Sequence, residues 1–448
     1  YADGPQRWGD TQPRSSHRRE SALRKIVAAD SCWPHGVGGD TMWALAALHL
    51  NARCDEANAR LLKHTQAYLA ETPATGQPGF SPEATHGAPW AYFALGDYVR
   101  ILCLFRAGSP HSPGRLTPET EAAMKEALWR WVRVDSRVDH AATHAALTLL
   151  GTENHDLTRR PNAYLVAAVL RDDPSFRGRT YHDGHTAEEH FQAYNRFFLE
   201  WPLQRVGSGL WIEVGSDTYQ KYSWPALLNL HELSPDPLVR KRFGMLLDVA
   251  FVEEAQISVR GRRGGGRSRA GYGANNFEGY KALLHAEEGL PAGGSHSKVF
   301  ETSTYQLPAA AILLATMEFP APRPFAIDNR VPGEMEPVQE APGEATRCAL
   351  DSALVNTAWR TAHYLLGSTL QNPSLSMPDP DTGEPVLRYA GISRQQRWCG
   401  MLFDDPRARP PTVSELSRRS DDEMCAVYPV VEKTRGGRPQ HSYWTFQH

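Results

Sequence analysis

The chain has 448 residues, a formal net charge of −3, 41% hydrophobic residues and 22% charged residues. This length accommodates one large domain with a smaller companion, or two to three ordinary domains. The charge balance excludes a global field that would draw the protein to nucleic acid or an anionic membrane. No run of 18 or more apolar residues occurs, so no membrane-spanning helix is expected.

The elements follow in chain order. Residues 1–37 are polar and Arg-rich and read as an N-terminal arm or leading helix. From 38 to 320 the pattern is helix, loop, helix. Thr41–Asn51, Asp55–Leu69, Trp90–Phe105, Thr117–Val134 and Asp139–Leu150 are expected as helices. Trp90–Phe105 is apolar nearly all round and should be buried on several sides. The Thr117-Pro118-Glu119-Thr120 start has the proline of a helix first turn. Asn162–Leu170, Glu188–Glu200, Trp224–Leu233, Pro237–Glu254, Asn276–His285 and Tyr305–Met317 continue the series. About ten helices with almost no strand signal predict a mainly α fold. Antiparallel helix pairs would build an incomplete (α/α) toroid with functional loops at one end. No fixed-period repeat points to a solenoid. The Pro-rich, acidic stretch 321–346 reads as a linker, and 347–448 as a short β-containing region. Strands are expected within Thr361–Leu370, Tyr389–Phe403 and Cys425–Glu432.

Six cysteines (Cys32, Cys54, Cys103, Cys348, Cys399 and Cys425) lack CxxC spacing. They read as buried thiols and form neither a zinc ribbon nor a redox motif. Tryptophan is frequent, with 12 copies, which suits a large helical core or a sugar cleft.

Four segments carry side chains suited to chemistry. Gly151-Thr152-Glu153-Asn154-His155-Asp156 is expected between helical segments. An amide beside an imidazole can bridge the oxygens of a carboxylate while a neighbouring carbon loses its proton. The plainer alternative is that Thr152 or Asn154 caps a helix and His155 packs beside it. Glu213 through Trp224 joins a Gly/Ser/Asp loop containing Asp217 to Tyr219 and Tyr222, three apart and so on one side of a turn. One of these tyrosines could be an acid/base, or both could pack. Arg260 through Tyr272 has five arginines in ten residues among glycines. Guanidinium forks there match carboxylates or sulfates, with a solvated loop as the alternative. His182, Asp183, His185 and His190 are metal-ligand types without a standard zinc spacing, and the His140/His144 pair lacks the glutamate of HExxH. No metal or other cofactor is expected, and His185 is read as a substrate contact.

The order of these segments resembles the α/α-toroid polysaccharide lyases and their heparinase-like relatives over residues 40–400. Asn154-His155 resembles the adjacent Asn-His pair of mannuronate-type alginate lyases. Tyr219 or Tyr222 stands where several toroid lyases carry the catalytic tyrosine, and Arg267 or Arg269 where chondroitin-type lyases place an arginine. The block around Glu153 also resembles uncharacterised bacterial toroid proteins with a Ser/Thr-Glu-Asn-His motif. Two departures stand out: no arginine lies just upstream of Tyr219, and no histidine lies between Arg196 and Tyr222.

The resemblance implies a carbon–oxygen lyase that cleaves a uronic-acid polysaccharide by β-elimination. Asn154, His155, Tyr219 and Tyr222 would be catalytic. Glu153, Trp211, Glu213, Trp224, Arg267, Arg269, Tyr272 and His185 would contact the acidic chain, with Trp211 and Trp224 stacking on sugar faces. Neither nucleic acid nor membrane is implied as a partner. Secretion or a periplasmic location follows for a polymeric substrate, and a cytoplasmic one for oligosaccharides. Two rivals remain: a glycoside hydrolase using paired carboxyls among Glu153, Asp156, Asp183, Glu213 and Asp217, and a non-catalytic carbohydrate-binding protein.

Overall fold

The computed structural model describes residues 12–30, 37–71, 94–146, 148–150, 153–207, 209–211, 220–259, 262–263, 267–268, 282–285, 297–317 and, beyond these, the strands named below. The protein is mainly helical. The helices are α1 (Gln12–Ala28), α2 (Val37–His49), α3 (Cys54–Glu71), α4 (Leu95–Phe105), α5 (Pro118–Asp135), α6 (Glu153–Leu170), α7 (Ala187–Gly207), α8 (Gln220–Leu233), α9 (Pro237–Gln256), α10 (Val299–Thr302) and α11 (Ala309–Thr316).

Local chemistry explains several boundaries. Thr117 caps α5, its side chain accepting from the Thr120 N–H ahead of Pro118. Asp236 caps α9, accepting from the N–H groups of Leu238 and Val239. α9 buries one face, with Val239, Phe243, Leu246, Leu247, Ala250 and Phe251 buried at helical spacing. α4 is buried along its length, and its polar residues Asp97 and Arg100 find their partners inside the core.

Contacts between helices give their directions. Asp40–His64 and Trp43–Arg60 make α2 and α3 antiparallel. Glu153–Arg205 and Tyr164–Asn195 do the same for α6 and α7, and His231–Arg240 and Trp224–Phe251 for α8 and α9. Gly96–Asn229 and Arg100–Glu232 advance together, so α4 and α8 run parallel. Asn195–Asp236 and Trp201–Phe243 set α7 parallel to α9, so α6 and α8 share a direction. α2, α4, α6 and α8 are the most deeply buried of these helices. α3, α5, α7 and α9 lie outside them and expose one face. A buried polar knot holds α4, α8 and α10 together. The Arg100 guanidinium donates to Asn229 Oδ1 (3.0 Å), Glu232 Oε2 (2.6 Å) and the Thr302 carbonyl (2.8 Å).

The strands are short outside one antiparallel sheet. In it β5 (Arg323–Asn329), β7 (Leu354–Arg360), β8 (Tyr364–Gln371) and β12 (Gly400–Phe403) lie in the order β12-β8-β7-β5. Thr357, at the middle of β7, is in register with Ala326 of β5 and Ser368 of β8. Arg360 is buried, and its guanidinium donates to the Ala255 carbonyl at 2.7 Å, tying β7 to the end of α9. β1 (Thr148–Leu150) pairs with β6 (Ala345–Arg347), β2 (Ser258–Val259) with β3 (Arg262–Arg263), and β4 (Arg267–Ser268) with β11 (Arg397–Trp398). The remaining pairs are β9 (Ser376–Pro378) with β10 (Pro385–Leu387) and β13 (Glu432–Lys433) with β14 (Pro439–Gln440).

Three sequence expectations change. Asp139–Leu150 is not a helix: it holds a 3₁₀ turn at Asp139–Ala141 and then β1, so His140 and His144 are not a helical pair. The Glu153–Asp156 motif is not a loop but the first turn of α6, which continues through Pro161. Proline deletes one ladder hydrogen bond, and burial of nearly the whole helix offsets that loss. β5 lies within the stretch read as a linker. Of Cys425–Glu432 only Glu432 is among the described residues.

Candidate functional site

The first turn of α6 carries four groups with different fates. Glu153, Asn154 and Asp156 are buried, and His155 is half-buried. Glu153 Oε1 accepts from Arg205 Nη1 at 2.6 Å, and both side chains are 1% exposed. Arg205 also donates to the carbonyls of Ala146 (3.0 Å) and Leu210 (3.2 Å). It thereby joins the segment before β1, the start of α6 and the turn after α7. Asp156 Oδ1 accepts from Arg160 Nη1 (2.6 Å) and from the Leu150 N–H (3.0 Å). Arg160 in turn lies over the Phe197 ring of α7, 5.0 Å from its centroid.

One turn further on, Arg159 makes a two-pronged pair with Asp135 at 3.0 and 2.7 Å. Arg159 and His155 are four apart and share a helix face. His140 belongs to the same neighbourhood. Burial, then the charges of Arg160 and Arg159, push its imidazole down to about 3, so it stays neutral. Its Nδ1 is buried and has no hydrogen-bond partner among the described residues.

The start of α8 lies at the same end, because α6 and α8 run parallel and pack against each other. The chain turns sharply just after α7, where Gly209 has φ 91° and Leu210 φ 58°. A leucine in the left-handed region is strained by about 1–2 kcal/mol. The Arg205 bond to its carbonyl helps to hold it there. Trp211 then packs on Trp224 of α8, with ring centroids 4.9 Å apart. Tyr222 is half-buried in the first turn of α8, with Lys221 Nζ 5.2 Å from its ring centroid.

Asn154, His155 and Tyr222 are therefore carried by neighbouring helix starts. Trp211 and Trp224 are 4% and 1% exposed, and Trp224 also stacks on Phe251 at 4.3 Å. Their ring faces are used in core packing, which corrects the reading of them as sugar platforms. His185 is corrected too. It precedes α7, whereas Arg205 ends it, so about 27 Å of helix separates His185 from the α6 motif. The backbone of Arg267 is in β4; its side chain, together with Glu213, Asp217, Tyr219, Arg269 and Tyr272, lies outside the described residues.

At the far end of α7, Asp183 is occupied by its surroundings. Its Oδ2 accepts from the Val138 N–H (2.8 Å), and its Oδ1 meets His190 Nε2 (3.1 Å) and the His185 N–H (3.2 Å). Among the described residues no group of three His, Cys, Asp or Glu side chains is arranged to hold a metal ion. The sequence reading missed Arg159, Arg160 and Arg205. The first two were legible as i+4 partners of His155 and Asp156, whereas Arg205 is 52 residues from Glu153 and carried no local signal.

The α6 start can therefore attract an anion. It places the positive end of the helix dipole and a half-buried imidazole beside carboxylates that Arg205 and Arg160 neutralise internally. No family model matches the chain, and no curated protein or solved structure matches it either.

Proposed function

We propose that the protein is a lyase that cleaves a uronic-acid polysaccharide by β-elimination, on an incomplete (α/α) toroid whose cleft lies at the starts of α6 and α8. The observation that carries this reading is the division of labour within one helical turn. Glu153 and Asp156 are consumed by buried pairs with Arg205 and Arg160, while His155 stays partly accessible beside them. This favours elimination over hydrolysis, which needs two working carboxyl groups flanking the glycosidic bond.

In this mechanism the substrate carboxylate is held at the α6 N-terminus, where the helix dipole and His155 stabilise the charge that develops on proton loss. A base removes the proton from C5, a double bond forms between C4 and C5, and the C4–O bond breaks. The leaving oxygen takes a proton. Tyr222 is the phenol for this exchange, with Tyr219 as the other tyrosine of the motif. Asn154 is fully buried, so its role is to position the turn that carries His155.

The product carries a conjugated double bond and absorbs in the near ultraviolet. Purified protein is incubated with alginate, chondroitin and polygalacturonate, and absorbance is followed. At least one polymer is expected to give an absorbing product. His155→Ala and Tyr222→Phe should each lower kcat/KM by about 10²- to 10⁴-fold. Chain cleavage without an absorbing product would exclude elimination, and no cleavage of any polymer would exclude the substrate class.

A further inference from the structure

The large apolar side chains that are exposed among the described residues all lie on three neighbouring helices, α7, α9 and α11. Leu203 and Val206 on α7, Met245 and Val249 on α9, and Leu313 and Met317 on α11 are each 44–60% exposed. α9 packs against both of the other helices. Trp201 stacks on Phe243 and Glu200 meets Arg242, so Leu203 and Val206 stand beside Met245 and Val249 at the same level. α11 has no charged residue along its length, yet Ala309, Ala310 and Leu313 are exposed. Single exposed apolar residues are ordinary, whereas a cluster confined to adjacent helices marks an interaction surface.

The middle of this face has a directional pattern. Lys241, Met245, Val249 and Glu253 are four apart and form one ridge along α9. The first three are exposed and Glu253 is half-buried. The ridge therefore runs basic, apolar, apolar, acidic towards the helix C-terminus. A twofold axis crossing α9 midway between Met245 and Val249 reverses that order in a second copy. Lys241 then stands opposite the partner's Glu253, and Met245 opposite the partner's Val249. The same rotation brings Leu203 near the partner's Val206. A surface that complements itself under a twofold rotation is what an isologous interface requires. Antiparallel helices also set opposite dipole ends side by side. Lys241 makes no ion pair with a described residue, so no internal contact has to break.

Charge and area favour a second copy over a lipid surface. Around the ridge Arg196, Lys241 and Arg242 are balanced by Glu200, Asp248 and Glu253, so no basic surplus draws this face to an anionic membrane. At about 10 Å of width and 1.5 Å of rise per residue, the adjoining parts of α7, α9 and α11 present a projected face of roughly 600 Å². With the relief of the side chains this approaches the area of about 800 Å² that each partner buries in a standard interface.

We propose that the protein forms a twofold dimer in which α9 packs antiparallel on α9 of a second copy. Met245 and Val249 fill the centre, Lys241 pairs with the partner's Glu253 at each end, and the apolar residues of α7 and α11 flank the contact. Dimerisation through α9 does not depend on the proposed lyase chemistry.

The test is sedimentation equilibrium of the full chain from about 1 to 100 μM. A dimer is expected to be populated by the top of that range. Met245→Asp, at an exposed position where folding is not at stake, should weaken association tenfold or more. Lys241→Glu sets like charges opposite each other at both ends and should weaken it by a smaller factor. Lys241→Glu combined with Glu253→Lys restores opposite charges and should recover most of that loss. The proposal is overturned if the chain is monomeric throughout the range, if Met245→Asp associates like the parent, or if the double variant is no better than Lys241→Glu alone.

Discussion

At the scale of single residues, Arg205 and Asp97 show how burial makes charge matter for stability. Arg205 commits its guanidinium to Glu153 and two backbone carbonyls inside the core. Removing one partner of such a pair leaves a buried charge uncompensated, at about 3–5 kcal/mol. Arg205→Met should therefore lower the unfolding free energy by about that amount in urea titrations, and adding Glu153→Leu should recover a large part of it. If the double variant is no more stable than the single one, the pair is not the source of the cost. Asp97 is fully buried and its carboxyl is pushed up to about 6, chiefly by burial and against the N–H of Lys298. Its folded value lies above the ordinary 3.8, so between these values the folded state holds a proton that the unfolded state has lost. Stability from this group is present at low pH and falls as pH rises through that window. Asp97→Asn removes the effect. Relative to the parent, it should gain about 2–3 kcal/mol between pH 4 and pH 6.5. A pH-independent difference would sink this assignment.

Among the elements, the α8–α9 pair depends on one close approach. A Cβ built on Gly244 of α9 would lie 2.9 Å from His231 Cε1 of α8. His231 is not free to retreat, because its Nδ1 bonds the Arg240 carbonyl at 2.9 Å. Helix propensity alone favours alanine over glycine by about 1 kcal/mol, but overpacking costs about 1–3 kcal/mol. Gly244→Ala should therefore be net destabilising, read as a lower thermal midpoint. A raised midpoint would mean that the two helices can separate without loss. The same scale explains why α6 tolerates Pro161. Its neighbours α4, α5, α7 and α8 bury it on nearly every side, so packing outweighs one missing ladder bond.

For the whole molecule, histidines buried in the neutral state make folding sensitive to acid. His49 is pushed down to about 4 and His140 to about 3, and His190 is lowered as well, in each case first by burial. A histidine whose folded value is below about 6.5 contributes stability that is fully present above that pH and is lost as pH falls. At pH 5 the loss is about 2 kcal/mol for each of the two most strongly shifted rings. Asp97 acts in the opposite direction over part of this range but is a single group. The urea midpoint should therefore fall between pH 7 and pH 5, and His49→Asn with His140→Asn should flatten that fall. A midpoint independent of pH would show that these rings are not held neutral.

Much of this organisation was legible in the chain. The alternation of apolar residues at helical spacing, with Thr117-Pro118 and Asp236-Pro237 as start signals, marked α5 and α9 to within a few residues. The apolar length of α4 announced its burial, and strand composition marked β8. These signals are local, so a sequence carries them. The fate of Glu153-Asn154-His155-Asp156 was different. In the sequence it offers an amide, an imidazole and two carboxyls of equal standing. Asp156 has its partner Arg160 one turn on, but only tertiary packing decided that Arg205, from the end of α7, neutralises Glu153 and that His155 is left at the edge. The same holds for Trp211 and Trp224, whose rings packing committed to the core, and for His185, which the length of α7 keeps away from the motif. Periodicity determines which residues share a face; what that face meets depends on partners dozens of residues away, and that choice is made only when the helices pack.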